Sequence, residues 1–346
     1  VQVAGVDEPD IIKNDNRYIY TISGQNLVIV DAYPAADASV ISTTEIEDTP
    51  QDIFVSGNRL VLFSTGTSDA DTYLERTESR MMPPYYIPIP PVTHATIYDI
   101  SDRAHPKVLK DYTIDGNYID ARMVGSLVYL VTQEQIYPYY DGPIIVPVLR
   151  EGSRTVLQPD VWYFDHPESQ YTFTTITALD AASGKEKDAQ TYLLGTGNTL
   201  YVSEDAMYVS YQRYLPVIYR EQPVPPVPMA VDDTAAGSSG TLADFNTLSE
   251  GERQSIIESL RNDEQDAIRR QEADQTTTVI HKIGIHNGAI TYLARGEVPG
   301  TLHNQFSMDE YDGNLRVATT SSIYTPRYGQ YTYNNVYVLD KDMATI

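Results

Sequence analysis

Three aspartates occupy matching positions in three hairpin patterns. Asp10, Asp52 and Asp120 each stand near the start of a segment of alternating apolar and polar residues that runs into a turn rich in Asn, Asp, Ser or Gly. Carboxylates gathered from separate strands are the hard oxygen ligands that Ca²⁺ prefers. The pattern predicts a Ca²⁺ site at these three residues. The alternative is that they are solvated or bond their own backbone turns, as Asp commonly does.

Signals of catalysis are weak in this chain. Asp7-Glu8 and Asp309-Glu310 are acidic pairs on predicted loops, and paired carboxylates can cleave glycosides when they lie about 5–10 Å apart with unequal pKa values. There is no Gly-x-Ser-x-Gly, His-Glu-x-x-His or P-loop motif. His281 and His286 would lie on opposite faces of a strand, which makes them a poor metal pair. The pattern favours a protein without catalytic activity and leaves an enzyme as an alternative.

Tyrosine is the residue type that most suggests binding. The chain has 28 Tyr and one Trp, and Tyr combines a large contact area with a polar group at low entropic cost. Alternatively, these rings seal loops onto the body of the protein. The candidate binding residues lie in two segments rich in Pro and Tyr or nearby: Tyr85, Tyr86, Tyr137, Tyr139, Tyr140 and Trp162.

The elements that would position these residues are β-strands. Period-2 alternation recurs through the chain, and five hairpins are each followed by a third strand. Four of these third strands end in Asp, at Asp31, Asp99, Asp180 and Asp340. A fourth strand after the turn, such as 107–112, completes a repeating unit. The pattern predicts an all-β fold, a β-propeller of four-stranded antiparallel blades with about five blades in this chain; a β-sandwich is the alternative.

Long insertions interrupt the repeats at residues 67–92, 134–170 and 215–275. The first two are predicted to be extended loops over the ends of blades, because they are rich in Pro. The third contains a predicted helix near 247–273, which begins with the capping-box pattern Thr247-Leu248-Ser249-Glu250. We expect residues 1–346 to form a single propeller domain. Either residues 1–4 supply the last strand of the fifth unit, or the chain is part of a larger propeller.

Charge and composition exclude several classes of protein. Of 346 residues, 24 are Lys or Arg and 48 are Asp or Glu, so the net charge is −24 and nucleic acid would be repelled. The hydrophobic fraction of 41% supports a folded core. No apolar run is long enough for a membrane span, and the first residues do not form a signal peptide, so we expect no membrane insertion. The absence of Cys excludes disulfides and leaves the compartment open.

Several segments resemble a known family. They are Val1-Gln2-Val3-Ala4-Gly5-Val6-Asp7-Glu8-Pro9-Asp10-Ile11-Ile12, His281-Lys282-Ile283-Gly284-Ile285, Gly296-Glu297-Val298-Pro299-Gly300 and Asn304-Gln305-Phe306-Ser307-Met308-Asp309-Glu310. In this order they resemble the secreted or cell-surface β-propeller domain proteins of archaea and bacteria, which are distantly related to WD repeats. The resemblance implies export, residence at the cell surface and further repeats beyond this chain. It implies no catalytic residues.

The patterns predict a propeller that binds or scaffolds, and the resemblance implies that it is extracellular or at the cell surface. Its partner would be a protein or an extracellular polymer, recognised through the insertions rich in Pro and Tyr. One alternative is a hydrolase or lyase that acts on extracellular carbohydrate, with carboxylates at the mouth of the central channel of the propeller. Another is a structural component of the cell envelope. The oligomeric state and the ligand stay open.

Overall fold

The structure is a computed structural model, and it describes residues 2–68, 89–136, 144–166, 168, 170–197, 199–213, 243–244, 248–259, 276–325 and 329–346. Tyr85, Tyr86, Tyr137, Tyr139 and Tyr140 lie outside the described residues, as does the predicted helix beyond residue 259. No helix within the described ranges is long and apolar enough to cross a membrane.

Five sheets follow one another along the chain, as the repeat predicts, and each forms one blade whose repeat strands are antiparallel. The first four blades contain four consecutive strands of the repeat, and the fifth contains three. The strands are β2 Ile12–Asn14, β3 Tyr18–Ser23, β4 Asn26–Asp31 and β5 Ser39–Glu45 in blade 1; β6 Thr49–Ser56, β7 Arg59–Thr67, β8 Pro91–Asp99 and β9 Lys107–Asp115 in blade 2; β10 Asn117–Val124, β11 Leu127–Gln135, β15 Tyr171–Asp180 and β16 Lys185–Gly195 in blade 3; β17 Thr199–Val202, β18 Ala206–Arg213, β20 Thr277–His286 and β21 Ala289–Pro299 in blade 4; and β22 Met308–Tyr311, β23 Asn314–Thr325 and β24 Gly329–Leu339 in blade 5.

Further strands are added to these blades from the insertions and from the start of the chain. In the second insertion, β12 (Leu149–Glu151) and β13 (Arg154–Leu157) extend blade 2 beyond β9, and β14 (Asp160–Tyr163) pairs in parallel with β16. In the third insertion, β19 (Ala243–Asp244) pairs with β14. The prediction that the second insertion is entirely loop was therefore wrong in part. Its short alternating segments find unpaired strand edges at the outside of blades 2 and 3.

The hydrophobic core lies between neighbouring blades. Leu27 and Ile29 of blade 1 pack against Leu60 and Leu62 of blade 2, and all four are at most 1% exposed. The opposite face of blade 2, which carries Phe63, packs against blade 3 in the same way. Blade 2 therefore buries both faces, which explains why its strand β7 reads as a nearly continuous apolar run. Complete burial of one such side chain contributes about 1.5–3 kcal/mol.

Four of the third strands end in an Asp, and this Asp closes the following turn. Asp99, Asp180 and Asp340 each accept a hydrogen bond from the backbone N–H two residues later, at 2.8–3.0 Å. In blades 1 and 2, an Arg at the start of the second strand also forms an ion pair across to this Asp; Arg17 lies 2.7 Å from Asp31. The repeat recognised in the sequence is therefore a side-chain bond that fixes the turn between the third and fourth strands.

We expect Asp180→Ala to lower the free energy of unfolding by about 1 kcal/mol, because the N–H of Ala182 and the hydroxyl of Ser183 lose their acceptor. Asp180→Asn keeps an oxygen at the same place and should recover most of the loss. Chemical denaturation of both variants checks this. If the Asn and Ala variants are equally destabilised, the loss of stability does not come from the hydrogen bonds that Asp180 accepts in the turn.

The first residues of the chain lie at the inner edge of blade 3. Strand β1 (Val6–Asp7) pairs with Val124 and Met123 of β10, the innermost strand. The arrangement in which residues 1–4 supply the fourth strand of blade 5 is therefore not observed in the described part of the chain. At the edge of blade 5, Leu339 of β24 instead forms a bridge with Thr345. The single-domain prediction for residues 1–346 stays a prediction.

Candidate functional site

All three long insertions emerge on the same side of the blades. They connect β7 to β8, β11 to β15 and β18 to β20, which are the second and third strands of blades 2, 3 and 4. Because the second-to-third connection has the same place in every blade, these insertions share one face of the propeller. We call it the insertion face, and we call the opposite side, with the short first-to-second turns, the turn face.

The described parts of the second and third insertions pack on each other. A helix, α1, covers residues 250–259, and it buries Ile257 against Val146 and Phe173. The backbone N–H of Ile144 donates to Glu250 at 2.7 Å. This part of the helix thus docks within the protein.

The described helix has its cap at Ser249, two residues after the predicted cap Thr247. The Ser249 hydroxyl and the Glu252 carboxylate form a capping box, at 2.7 Å, and Thr247 of the predicted pair lies outside the described residues. Both pairs have the required spacing of three residues, and the sequence pattern alone does not choose between them. The contact between Glu250 and Ile144 gives Glu250 a different role.

Trp162, a predicted binding residue, lies in β14 and is half-buried. Its indole N–H donates to the side chain of Gln190 at 2.8 Å. Part of the ring packs on the core between blades 3 and 4. Its role in binding stays a prediction, but its contacts fix β14 to blade 3.

An exposed aromatic residue that the sequence analysis did not select lies on the insertion face. Phe306 is 68% exposed, and it stands in the connection from β21 to β22, which passes over this face. The Asn304 side chain accepts a hydrogen bond from the Phe306 backbone N–H and fixes the turn that presents the ring. Its spacing after the strand gave no signal, because connections between blades vary in length.

The three aspartates of the predicted cation site come near one another at the inner strands. The carboxyl of Asp52 accepts a hydrogen bond from the Tyr118 hydroxyl at 2.9 Å. Burial raises the pKa of Asp52, and the nearby charges of Asp120 and Asp10 raise it further. Asp10 forms an isolated β-bridge with Ile53, which follows Asp52 in β6. The sequence alignment of the hairpins therefore brought together residues that do interact.

A guanidinium group supplies the positive charge in this region. Arg122 is 4% exposed, and it donates to Asp120 at 2.5 Å and to the side chain of Gln305 at 3.2 Å. It thereby connects blade 3 to the start of blade 5. Burial raises the pKa of Asp120, while Arg122 opposes that shift. Within the described ranges no three His, Asp or Glu side chains are arranged to hold a metal ion, and the Ca²⁺ site stays a prediction.

Asp7, Asp309 and Glu310 lie in strands, so their placement on loops was wrong, whereas Glu8 follows β1 and lies outside a strand. Asp7 is in β1, where it pairs with Lys13 at 2.9 Å. Asp309 pairs with Arg316, and Glu310 accepts from the Tyr208 hydroxyl at 3.0 Å. The short strands β1 and β22 adopt an extended conformation because they pair with longer neighbouring strands. A local sequence pattern does not reveal such pairing.

A buried polar cluster lies between blades 3 and 4, at the end nearest the insertion face. Glu168, which ends the second insertion, is 4% exposed and accepts a hydrogen bond from Tyr211 at 2.6 Å. The Tyr211 ring stacks on His281, whose Nδ1 lies 3.1 Å from the Tyr292 hydroxyl. Beside them, Arg213 and Arg295 both pair with Glu297. We call these residues, together with His166, the Glu168 cluster.

Burial controls the charges in the Glu168 cluster. It raises the pKa of Glu168 to about 7, although Tyr211 and the two arginines oppose the shift. It also lowers the pKa of His281 well below the usual value, so this imidazole is neutral. His281 and the 78% exposed His286 do lie on opposite faces of β20, as predicted. The sequence analysis missed Glu168, Tyr211 and Arg295 as a group, because three separate elements bring them together.

A second histidine is held between two carboxylates. The ring nitrogens of His94 each lie 3.4 Å from a carboxylate oxygen, one of Asp48 and one of Asp111. The hydrogen bond to Asp111 and the two negative charges raise the pKa of His94. A raised pKa stabilises the folded state fully below pH 6.5, and this contribution is lost as the pH rises through the folded-state pKa.

We therefore expect His94→Gln to lower the thermal midpoint at pH 5.5 and to have little effect at pH 8.5. The loss at low pH should be up to about 1 kcal/mol, since the pair is partly exposed. His105→Gln is the matched control, because His105 also faces an Asp at 2.9 Å but is 76% exposed. A deficit for His94→Gln that does not change with pH would contradict the charge argument.

Comparison with known proteins agrees with the β-propeller fold. A family profile described as a beta propeller domain matches residues 1–346. The chain belongs to the β-propeller domain family. It is 23% identical over 372 residues to an uncharacterized protein of Methanocaldococcus jannaschii and 26% identical over 378 residues to one of Archaeoglobus fulgidus. These matches cover 100% of this chain but 53% and 54% of the two proteins, so this β-propeller spans about half the length of the curated relatives it matches.

Proposed function

We propose that this β-propeller is an extracellular or cell-surface binding or scaffolding module that recognises a protein or polymer through its insertion face. The observation that carries the proposal is that three long insertions emerge on one side of an otherwise regular array. Rigid blades with long connections on one face are a common arrangement for recognition, because the scaffold fixes loops that vary in sequence.

The exposed ring of Phe306 supports this choice of face. Exposed aromatic residues are enriched at binding surfaces, where they contribute large contact area. The charge of −24 favours a partner with positive or neutral character over an anionic one. Residence at the cell surface comes from the family resemblance in the sequence and is part of the proposal.

The carbohydrate-cleaving alternative has less support from the cavities. Such an enzyme needs a carboxylate at a substrate-sized cavity. One surface cavity of about 300 Å³ lies at blade 1, and another of about 220 Å³ lies at blade 4. The second is lined by hydroxyl and amide side chains with Tyr211 and Leu302, and neither has a carboxylate in its lining. The acid with the raised pKa, Glu168, lines neither cavity.

Binding can be tested with the purified domain, insoluble polysaccharides and polylysine-coated beads. We expect cosedimentation with one of these classes, and Phe306→Ala should weaken it about tenfold or more, as loss of an interface aromatic typically does. Tyr311→Ala is the matched control, since Tyr311 is also 68% exposed and lies at the turn-face end of β22. If only the Tyr311 variant loses binding, recognition occurs on the turn face and the proposal is wrong.

A further inference from the structure

A buried carboxyl group and an aromatic ring hold the end of the second insertion to blade 4. Glu168 lies just before β15, and its partner Tyr211 lies on β18, two residues before the end of that strand. Phe164, four residues earlier, packs on His281 and Tyr292 with ring centroids 5.0 and 4.8 Å apart. The same small region therefore anchors the bases of two insertions.

Several charged and titratable groups face Glu168 or its immediate neighbours, and they come from five elements. The Tyr171 hydroxyl accepts a hydrogen bond from the Glu168 backbone N–H at 2.9 Å, and Arg295 approaches the carboxyl to 3.9 Å. The groups are Asp165 and His166 on the same segment, Tyr171 on β15, Tyr211 and Arg213 on β18, His281 on β20, and Tyr292, Arg295 and Glu297 on β21.

We propose that the Glu168 cluster is a proton-controlled latch that holds the end of the second insertion against blade 4. With Glu168 protonated, Tyr211 and Glu168 form a hydrogen-bonded contact without a buried net charge on the carboxyl. When the proton leaves, the carboxylate stays buried beside Glu297, which already pairs with both arginines. The cost of burying that charge weakens docking.

The direction of the pH effect follows from the two states of the carboxyl. Its pKa is about 7 when docked, against the ordinary value of 4.5 when undocked. Docking is therefore strongest below pH 4.5 and weakens about tenfold for each pH unit up to about 7, where the effect levels off. His281 acts in the opposite sense, because its lowered pKa favours docking above pH 6.5. Comparison with a Glu168 variant cancels the histidine contribution.

Hydrogen exchange of a peptide covering residues 160–171 measures the docking equilibrium. After correction for intrinsic exchange, protection of the wild type relative to Glu168→Gln should fall by up to about tenfold per unit between pH 5 and 7. Glu186→Gln is the matched control, because Glu186 accepts a hydrogen bond from Tyr112 at 2.8 Å but is only half-buried. The control should keep the wild-type pH dependence.

The latch is overturned if the ratio of protection between wild type and Glu168→Gln stays constant from pH 5 to 8. It is also overturned if the Glu186→Gln variant loses the pH dependence of protection.

If Glu168→Gln does not fold, Tyr211→Phe replaces it. Removing the donor that lowers the carboxyl pKa should move the transition to higher pH, and an unmoved transition contradicts the proposal. The consequence that ligand binding at the insertion face depends on pH rests on the proposed function. The exchange experiment uses no ligand, so the latch can fail or succeed independently of binding.

Discussion

Replacing Arg122 with methionine is expected to lower the free energy of unfolding by about 3–5 kcal/mol, the usual cost of removing one partner of a buried ion pair. The guanidinium is 4% exposed and donates to Asp120, to the carbonyl of Ala121 and to Gln305. Without the guanidinium, the carboxylate of Asp120 has no counter-charge, although it lies near the carboxyl of Asp52. Methionine fills similar volume, so the loss is mainly electrostatic.

The pH dependence of that variant checks the cause. Asp120 already has a raised pKa, and removing Arg122 raises it further. A carboxyl group whose pKa is higher in the folded than in the unfolded state destabilises the fold at pH values above its unfolded-state pKa, and not below it. The loss in free energy of unfolding of the variant should therefore shrink as the pH falls from 7 towards 4. Chemical denaturation at several pH values measures this, and Arg122→Met combined with Asp120→Asn should recover part of the loss at pH 7.

Arg316→Met is the control for the Arg122 experiment. Arg316 pairs with Asp309, but the two side chains are 49% and 55% exposed, so we expect a change of at most about 1 kcal/mol. Equal losses in the Arg122 and Arg316 variants would show that burial of the ion pair is not the cause.

Phe63→Ala is expected to cost about 3–5 kcal/mol through a cavity between blades 2 and 3. The ring is fully buried, packs edge-on against Phe54 with centroids 6.0 Å apart, and stacks on Tyr118 at 5.3 Å. Tyr118 in turn bonds Asp52, so the cavity also loosens a contact at the inner strands. Equilibrium unfolding in denaturant measures the loss.

The same substitution at Phe306 provides the comparison for Phe63. Phe306 is 68% exposed, and its replacement by Ala should change stability by no more than about 0.5 kcal/mol. Phe306→Ala thus separates a role in stability from a role in binding, because it should leave folding intact while weakening binding. A destabilisation of Phe306→Ala as large as that of Phe63→Ala would contradict the packing argument.

The blades themselves were predictable from the sequence, because they depend on local patterns. Alternation predicted the inner hairpins, and the repeated Asp at 31, 99, 180 and 340 marked the ends of third strands. The Asp acts through bonds to residues close in sequence, so its signal survives in a short window. The same alignment placed Asp52 and Asp120 at equivalent positions, and their charges do interact.

What the sequence determined by itself is therefore the all-β class, the repeat of the blades and the position of the long insertions. Only the tertiary structure decided that Arg122 donates to Gln305, that β1 pairs with β10, and that Glu168, Tyr211 and His281 form one buried cluster. These contacts join residues tens to hundreds of positions apart. No local spacing encodes them, because the relative placement of the blades sets which side chains meet and how much water they retain.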